Sequence, residues 1–284
     1  MKGFINGVVI SAISLSTAAF AETSQWAVND PAQEATLNHQ PITEIITYFG
    51  DVKRDYTSLD FSAIEGAGSN YLSDYLDYLE SVPVSQLNRD EQLAYWLNIR
   101  NAMVTYMMST RSTPRRMDDY RGTPEQPGSW WQEKTLTVEG HELSLADIEQ
   151  EVLASNWSDS LFIYGLYDGS IDGPSLGETA FIGATVHEQL EESARQYIND
   201  DDRVDVSRRG KVTLSDMYQR HKSLFNNDDS QLLAHIVSYA EPRLAEDLVE
   251  ANTIDEYDSN SSVARHTIRT FDTSASSSYS AGGS

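Results

Sequence analysis

The chain has 284 residues, 39 % of them hydrophobic, and sets 44 acidic side chains against 20 basic ones for a formal charge of −24. So acidic a surface repels phosphate backbones and anionic lipid, which excludes nucleic acid and membrane surfaces as expected partners. With no cysteine, disulfides and thiolate chemistry are excluded too, and packing alone must hold the fold. Only five of the basic residues are lysines, a balance that suits salty surroundings where screening relieves self-repulsion.

Residues 1–21 read as a cleavable export signal. Lys2 supplies the positive start, Phe4 to Ala19 is apolar or small with few breaks, and Ala19-Phe20-Ala21 places small residues ahead of a cut before Glu22. The expected product is a periplasmic or secreted protein with no membrane insertion after cleavage. Residues 22–40 read as an extended arm. From Ile42 the pattern turns helical, first through Ile42, Ile45, Ile46 and Phe49, then through Tyr71, Leu72, Tyr75, Leu76 and Leu79. Asn88 and Glu91 form an Asn-x-x-Glu capping box ahead of a run to Met108 that is apolar on nearly every side, which predicts a buried helix. Asn98, Asn101 and Thr105 make a polar seam along it.

Residues 111–131, rich in Arg, Pro, Asp and Gly, read as a long surface loop closed by Trp130 and Trp131. Thr135–Val138 and His141–Leu143 predict a hairpin around Glu139-Gly140. Ser144 and Asp147 form a second capping box, with Leu143 stapled to Ile148, so a helix is expected over Ser144–Leu153. Leu161–Leu166 reads as a buried strand leading into the loop 167–176. Thr185 with Glu188, Ser215, and Ser230 are expected to cap three further helices, and Val204–Val206 with Val212–Leu214 a second hairpin. Beyond about Ser259 the chain is Ser-, Gly- and Ala-rich and reads as a disordered tail, 259–284. The fold class is α+β, a helix-rich single domain over 41–258 with small antiparallel β elements.

The segments Leu93-Ala-Tyr-Trp-Leu-Asn-Ile-Arg-Asn-Ala102, Val138-Glu-Gly-His-Glu-Leu-Ser-Leu-Ala-Asp-Ile-Glu149 and Pro174-Ser-Leu176, in this order, resemble the bacterial exported branch of the family called domain of unknown function 547. The resemblance implies a His and an Arg after the Ile-Glu pair, a His in the strand, and two Cys around the turn before the Pro. Such a set invites comparison with papain-like or transglutaminase-like enzymes, in which a thiolate attacks and a His shuttles the proton. This chain has Gln150, Ala154, Ile163, Asp168 and Gly173 at those points. On that alignment no thiol, imidazole or guanidinium is expected in the cluster.

The expected function is therefore non-catalytic or catalytically degenerate: binding of an unidentified small molecule or protein, without cofactor or metal, through Asn98, Asn101, Asp168, Ser170 and Asp172. An alternative is a hydrolase or transferase on peptide or acyl groups, with Asp168, Asp172 and Asn101 as catalytic candidates. A second alternative is a calcium-dependent binding module using Asp200–Asp202 and Asn226–Asp229, which lack the ligand spacing of an EF-hand. Ser175 sits in a Gly-x-Ser-x-Gly pattern but outside the strand-to-helix turn that such a nucleophile needs, and reads as a loop serine. His187 and Glu191 have metal spacing on a helix without a second His, and read as a solvated face.

Overall fold

The computed structural model describes residues 24–34, 36–52, 57–123 and 126–265. The export-signal reading of residues 1–21 falls outside them, as do residues 266–284. The six helices of ten or more residues among the described residues are α1 (Gln40–Phe49), α2 (Ser69–Glu80), α3 (Arg89–Thr110), α4 (Val186–Ile198), α5 (Asp229–Tyr239) and α6 (Pro242–Ala251). Small sheets fill the rest: β1 (Gly50–Val52) with β2 (Thr57–Leu59), β3 (Leu136–Val138) with β4 (His141–Leu143), and a three-stranded sheet of β5 (Val204–Val206), β6 (Val212–Ser215) and β7 (Glu256–Asp258). The domain is helix-rich α+β. The pairings are antiparallel except β6 with β7, which run parallel.

Helix α3 is the axis of the molecule. Asn88 caps it by accepting the Glu91 N–H (2.9 Å), and eighteen of its twenty-two residues are buried, polar ones included. The capping box is only half formed, because the buried Glu91 carboxylate accepts the Leu37 N–H (2.6 Å) instead of returning to Asn88. A helix surrounded on all sides has no amphipathic stripe: α2, α4 and the 183–185 and 148–153 turns pack around it, and the Gly165 end of the 160–165 helix is held to it by Asn101. The hairpin β3–β4 turns as expected, with Glu139 and Gly140 both at positive φ (49° and 81°), the backbone that a two-residue turn of this hand requires.

Five expectations change. Residues Ser160–Gly165 form a buried 3-10 helix, not a strand: Asp159 accepts the Leu161 N–H (2.9 Å) and starts a helical turn, and a short wholly apolar run carries no period to prefer either. The box at Ser144 and Asp147 forms in both directions, but the helix it starts widens at once into π turns over Ile148–Leu153. Thr185 makes no capping bond to α4, its hydroxyl facing Gln189 instead (3.3 Å), and α5 is capped by Asp228, which accepts the Ser230 N–H (2.8 Å). The segment 259–265 is built into the fold, with Ser261, Val263 and Ala264 buried, because its backbone finds partners on both sides.

The candidate site

The polar seam of α3 clamps backbone. Asn98 donates to the Phe181 carbonyl (2.7 Å) and accepts the Phe181 N–H (3.0 Å), so one side-chain amide satisfies both backbone groups of that residue. Asn101 donates to the Gly165 carbonyl (2.8 Å), and the Thr105 hydroxyl donates to the Asn101 carbonyl (2.9 Å). Left without partners, each buried amide would cost about 1–3 kcal/mol, so the seam fixes where these loops lie.

Next to the seam lies a buried ionic cluster. Arg100, only 1 % exposed, donates through Nη2 (2.7 Å) and Nε (3.1 Å) to Glu149 Oε1, and through Nη1 to the Tyr167 carbonyl and to Asn101 Oδ1 (3.0 Å). Trp131 Nε1 donates to the same Glu149 oxygen (2.9 Å). Asp168 pairs with Arg121 through one oxygen, has Arg220 at 3.8 Å, and accepts the Ser170 N–H (2.9 Å) and hydroxyl (2.7 Å) on the other. Asp172 faces Arg203 (3.2 Å) and accepts the Ser215 hydroxyl (3.0 Å). The Tyr197 hydroxyl donates to the Asp172 carbonyl (2.7 Å).

Environment drives the two aspartates apart. Burial alone would raise the Asp168 pKa, but the charges of Arg121 and Arg220 and the Ser170 bonds outweigh it and hold the carboxyl well below the usual carboxylate range. At Asp172 burial wins over Arg203 and pushes the carboxyl up to about 6. His221, partly exposed, lies in the field of the same cluster, where burial and then Arg220, Arg100 and Arg121 push its pKa down to about 3. No hydrogen bond joins it to Asp168.

The cluster corrects the expectation that no guanidinium remains there: Arg100, Arg121, Arg203 and Arg220 reach it from segments distant in sequence. The residues expected to bind, Asn98, Asn101, Asp168, Ser170 and Asp172, lie behind the surface, each no more than 3 % exposed and bonded to the chain itself. Nor is 111–131 simply a surface loop, since it carries two short helices, Asp118–Arg121 and Ser129–Gln132, and buries Met117, Arg121, Trp130 and Trp131. Of these residues Trp130 and Trp131 had a signal in the sequence, as an aromatic pair. Arg121 had none, because its partner lies 47 residues away.

The other candidates are occupied. His187 pairs with Asp90 (3.0 Å) and Glu191 with Arg195 (3.5 Å). Asp200 accepts the Asp202 N–H (2.9 Å), Asp228 serves as the cap of α5, and Asp229 pairs with Lys222 (2.5 Å). Among the described residues no group of three metal-ligating side chains forms, and no helix is long and apolar enough to cross a membrane.

The open surface beside the cluster is a cleft of about 730 Å³ between the 175–181 segment and α4. Leu176, Phe181, Tyr164 and Tyr197 form its floor, and Ser175, Gln189, Ser193 and Gln196 line its walls. Its carboxylates are Glu178, Glu188 and Glu192, all exposed, and no Lys or Arg is among the residues that line it. Seam and cluster stand behind this floor: Asn98 holds Phe181, and Asp172 holds Tyr197.

Residues 84–198 match the model of a family described as protein of unknown function, DUF547. That span contains α3, the hairpin β3–β4, the 160–165 helix, Asp168, Asp172 and the cleft. No curated protein and no solved structure matches the chain.

Proposed function

We propose, for a chain that belongs to the DUF547 family, that the protein is exported and acts by binding rather than by catalysis, taking a cationic ligand in the cleft between residues 175–181 and α4. The observation that carries this reading is the contrast between the two neighbouring regions. Asp168, where the resemblance would place a Cys, is closed off and ion-paired, whereas the cleft beside it is open, apolar at its floor and purely anionic in its charges. A cavity of this size with an aromatic floor and a few polar groups is what a small ligand or a peptide side chain needs. Three carboxylates with no cation among the lining residues select positive charge.

The catalytic alternative has less to work with. A carboxylate held ionised by two guanidinium groups is a poor base, Asp172 has no open path to solvent at 3 % exposure, and the Asn101 amide is committed to Gly165.

Trilysine titrated calorimetrically into the full chain tests the reading. Glu188→Gln with Glu192→Gln should weaken binding tenfold or more, while Glu246→Gln with Glu250→Gln on the exposed face of α6 should change it less than twofold. Equal losses in the two pairs would mean that overall acidity, not the cleft, binds the probe. N-terminal sequencing of the exported product tests the location, with Glu22 expected as the first residue.

A further inference from the structure

Residues 260–265 lie as an extended strap between two stretches of backbone. On one side the Ile171 N–H donates to the Ser262 carbonyl (2.8 Å), the Asp172 N–H to the Asn260 carbonyl (3.2 Å), and the Ala264 N–H to the Gly169 carbonyl (2.8 Å). On the other the Met117 N–H donates to the Ser261 carbonyl (2.9 Å) and the Val263 N–H to the Arg115 carbonyl (3.0 Å). Both neighbours run antiparallel to the strap, through the bridges of Ser170 with Val263 and of Arg116 with Ser262. The strap is thus the middle strand of a miniature three-stranded sheet, and at its end the Leu59 N–H donates to the Ala264 carbonyl (3.3 Å).

Main-chain atoms supply nearly all of this recognition. Among the described residues, the one side-chain hydrogen bond that the strap gives to another segment is from Ser261 Oγ to Asp118 (2.6 Å). Three small side chains are buried, Ser261, Val263 and Ala264, while Asn260 and Arg265 are exposed. Backbone pairing along an edge, with shallow pockets for alternate side chains, is how a sheet edge takes up an extended peptide. The strap and its walls also differ in origin. Residues 115–117 and 169–172 lie inside the span 84–198 that matches the family, whereas 260–265 lie outside it.

We propose that the groove between residues 115–117 and 169–172 is a binding site for an extended polypeptide segment with small side chains, and that residues 260–265 occupy it in cis. Tethered next to β7, the strap holds the groove at an effective concentration on the order of millimolar, so a free peptide at micromolar concentration is excluded. A segment of another polypeptide enters only when the strap leaves. This site is separate from the acidic cleft and does not depend on what the cleft binds.

The test uses the full chain with a site-specific protease sequence inserted between Asp258 and Ser259, and a fluorescent peptide of residues 259–265 as probe. Uncut protein should bind no peptide. After cutting, the folded protein should exchange its strap for the probe at one peptide per chain, and a probe carrying Val263→Asp should bind at least tenfold more weakly. The proposal is overturned if the cut protein stays folded and takes up no probe, if it unfolds on cutting, so that the strap is core rather than occupant, or if the Val263→Asp probe binds equally well.

Discussion

Replacing Asp168 with Ala removes the centre of the buried ionic cluster, and the cost follows from what is left behind. Arg121 is 4 % exposed, and its Nε has no acceptor even in the intact protein. Without Asp168 its nearest carboxylates are Asp216 at 3.5 Å and Asp118 at 3.6 Å, both nearer the surface. Breaking a buried ion pair from one side costs about 3–5 kcal/mol, and these two remaining partners place the expected loss near the lower end, about 3 kcal/mol. For a domain of this size that corresponds to a melting temperature lower by roughly 6–12 °C. Urea unfolding at pH 7 measures it, as a fall in midpoint at unchanged slope. Adding Arg121→Met should recover more than half of the loss, since the stranded cation leaves with its partner. A loss below about 1 kcal/mol for Asp168→Ala would show that the cluster does not lock the fold, and the case against catalysis at Asp168 would lose its basis.

Asp172 should impose a pH dependence of the opposite sign. Its folded pKa of about 6 lies above the unfolded value near ~3.9, so the folded chain holds the extra proton and stability falls as pH rises from about 4 to 6, by on the order of 2–3 kcal/mol. Stability profiles of wild type and Asp172→Asn should diverge across that window, and parallel profiles would contradict the assignment. Asp168, with its pKa depressed, contributes stability that is present above about pH 4 and lost as pH falls below it. Gly173→Ala should cost about 1–3 kcal/mol in the same urea assay, because the added methyl runs into the Asp168 carboxylate, which Arg121 holds in place. Raising salt from low to about physiological strength should raise the melting temperature by a few degrees, as screening relieves a net charge of −24; no rise would mean that the surface charges are already locally paired.

What the sequence made legible was local. The Asn88 cap, the Ser144–Asp147 box and the Glu139-Gly140 turn each depend on residues within four positions of one another, and each appears in the fold. The burial of α3 was legible because its apolar residues leave no solvent face. Illegible were the partners that only the completed fold brings together: Arg121 for Asp168, Arg203 for Asp172, and Arg100 and Trp131 for Glu149. An arginine in a loop looks the same whether it points at water or at a buried carboxylate. The strap at 260–265 was hidden for a related reason: composition judges a segment by what its side chains can bury, and this one is held chiefly by its backbone.

Around α3, apolar contact alone would tolerate many arrangements, since one greasy surface slides on another with little preference. Its polar residues remove that freedom, each one reaching a different destination: Gln92 the Val28 and Val84 carbonyls, Asn98 Phe181, Arg100 Tyr167 and Glu149, Asn101 Gly165. The helix therefore works as a keyed spindle, whose oily residues supply cohesion and whose amides and guanidinium dictate which loop docks where. Exchanging a key such as Asn98 for Leu would leave the protein compact yet cost it its single arrangement, and the cleft whose floor hangs from that key would lose its shape before the molecule lost its fold.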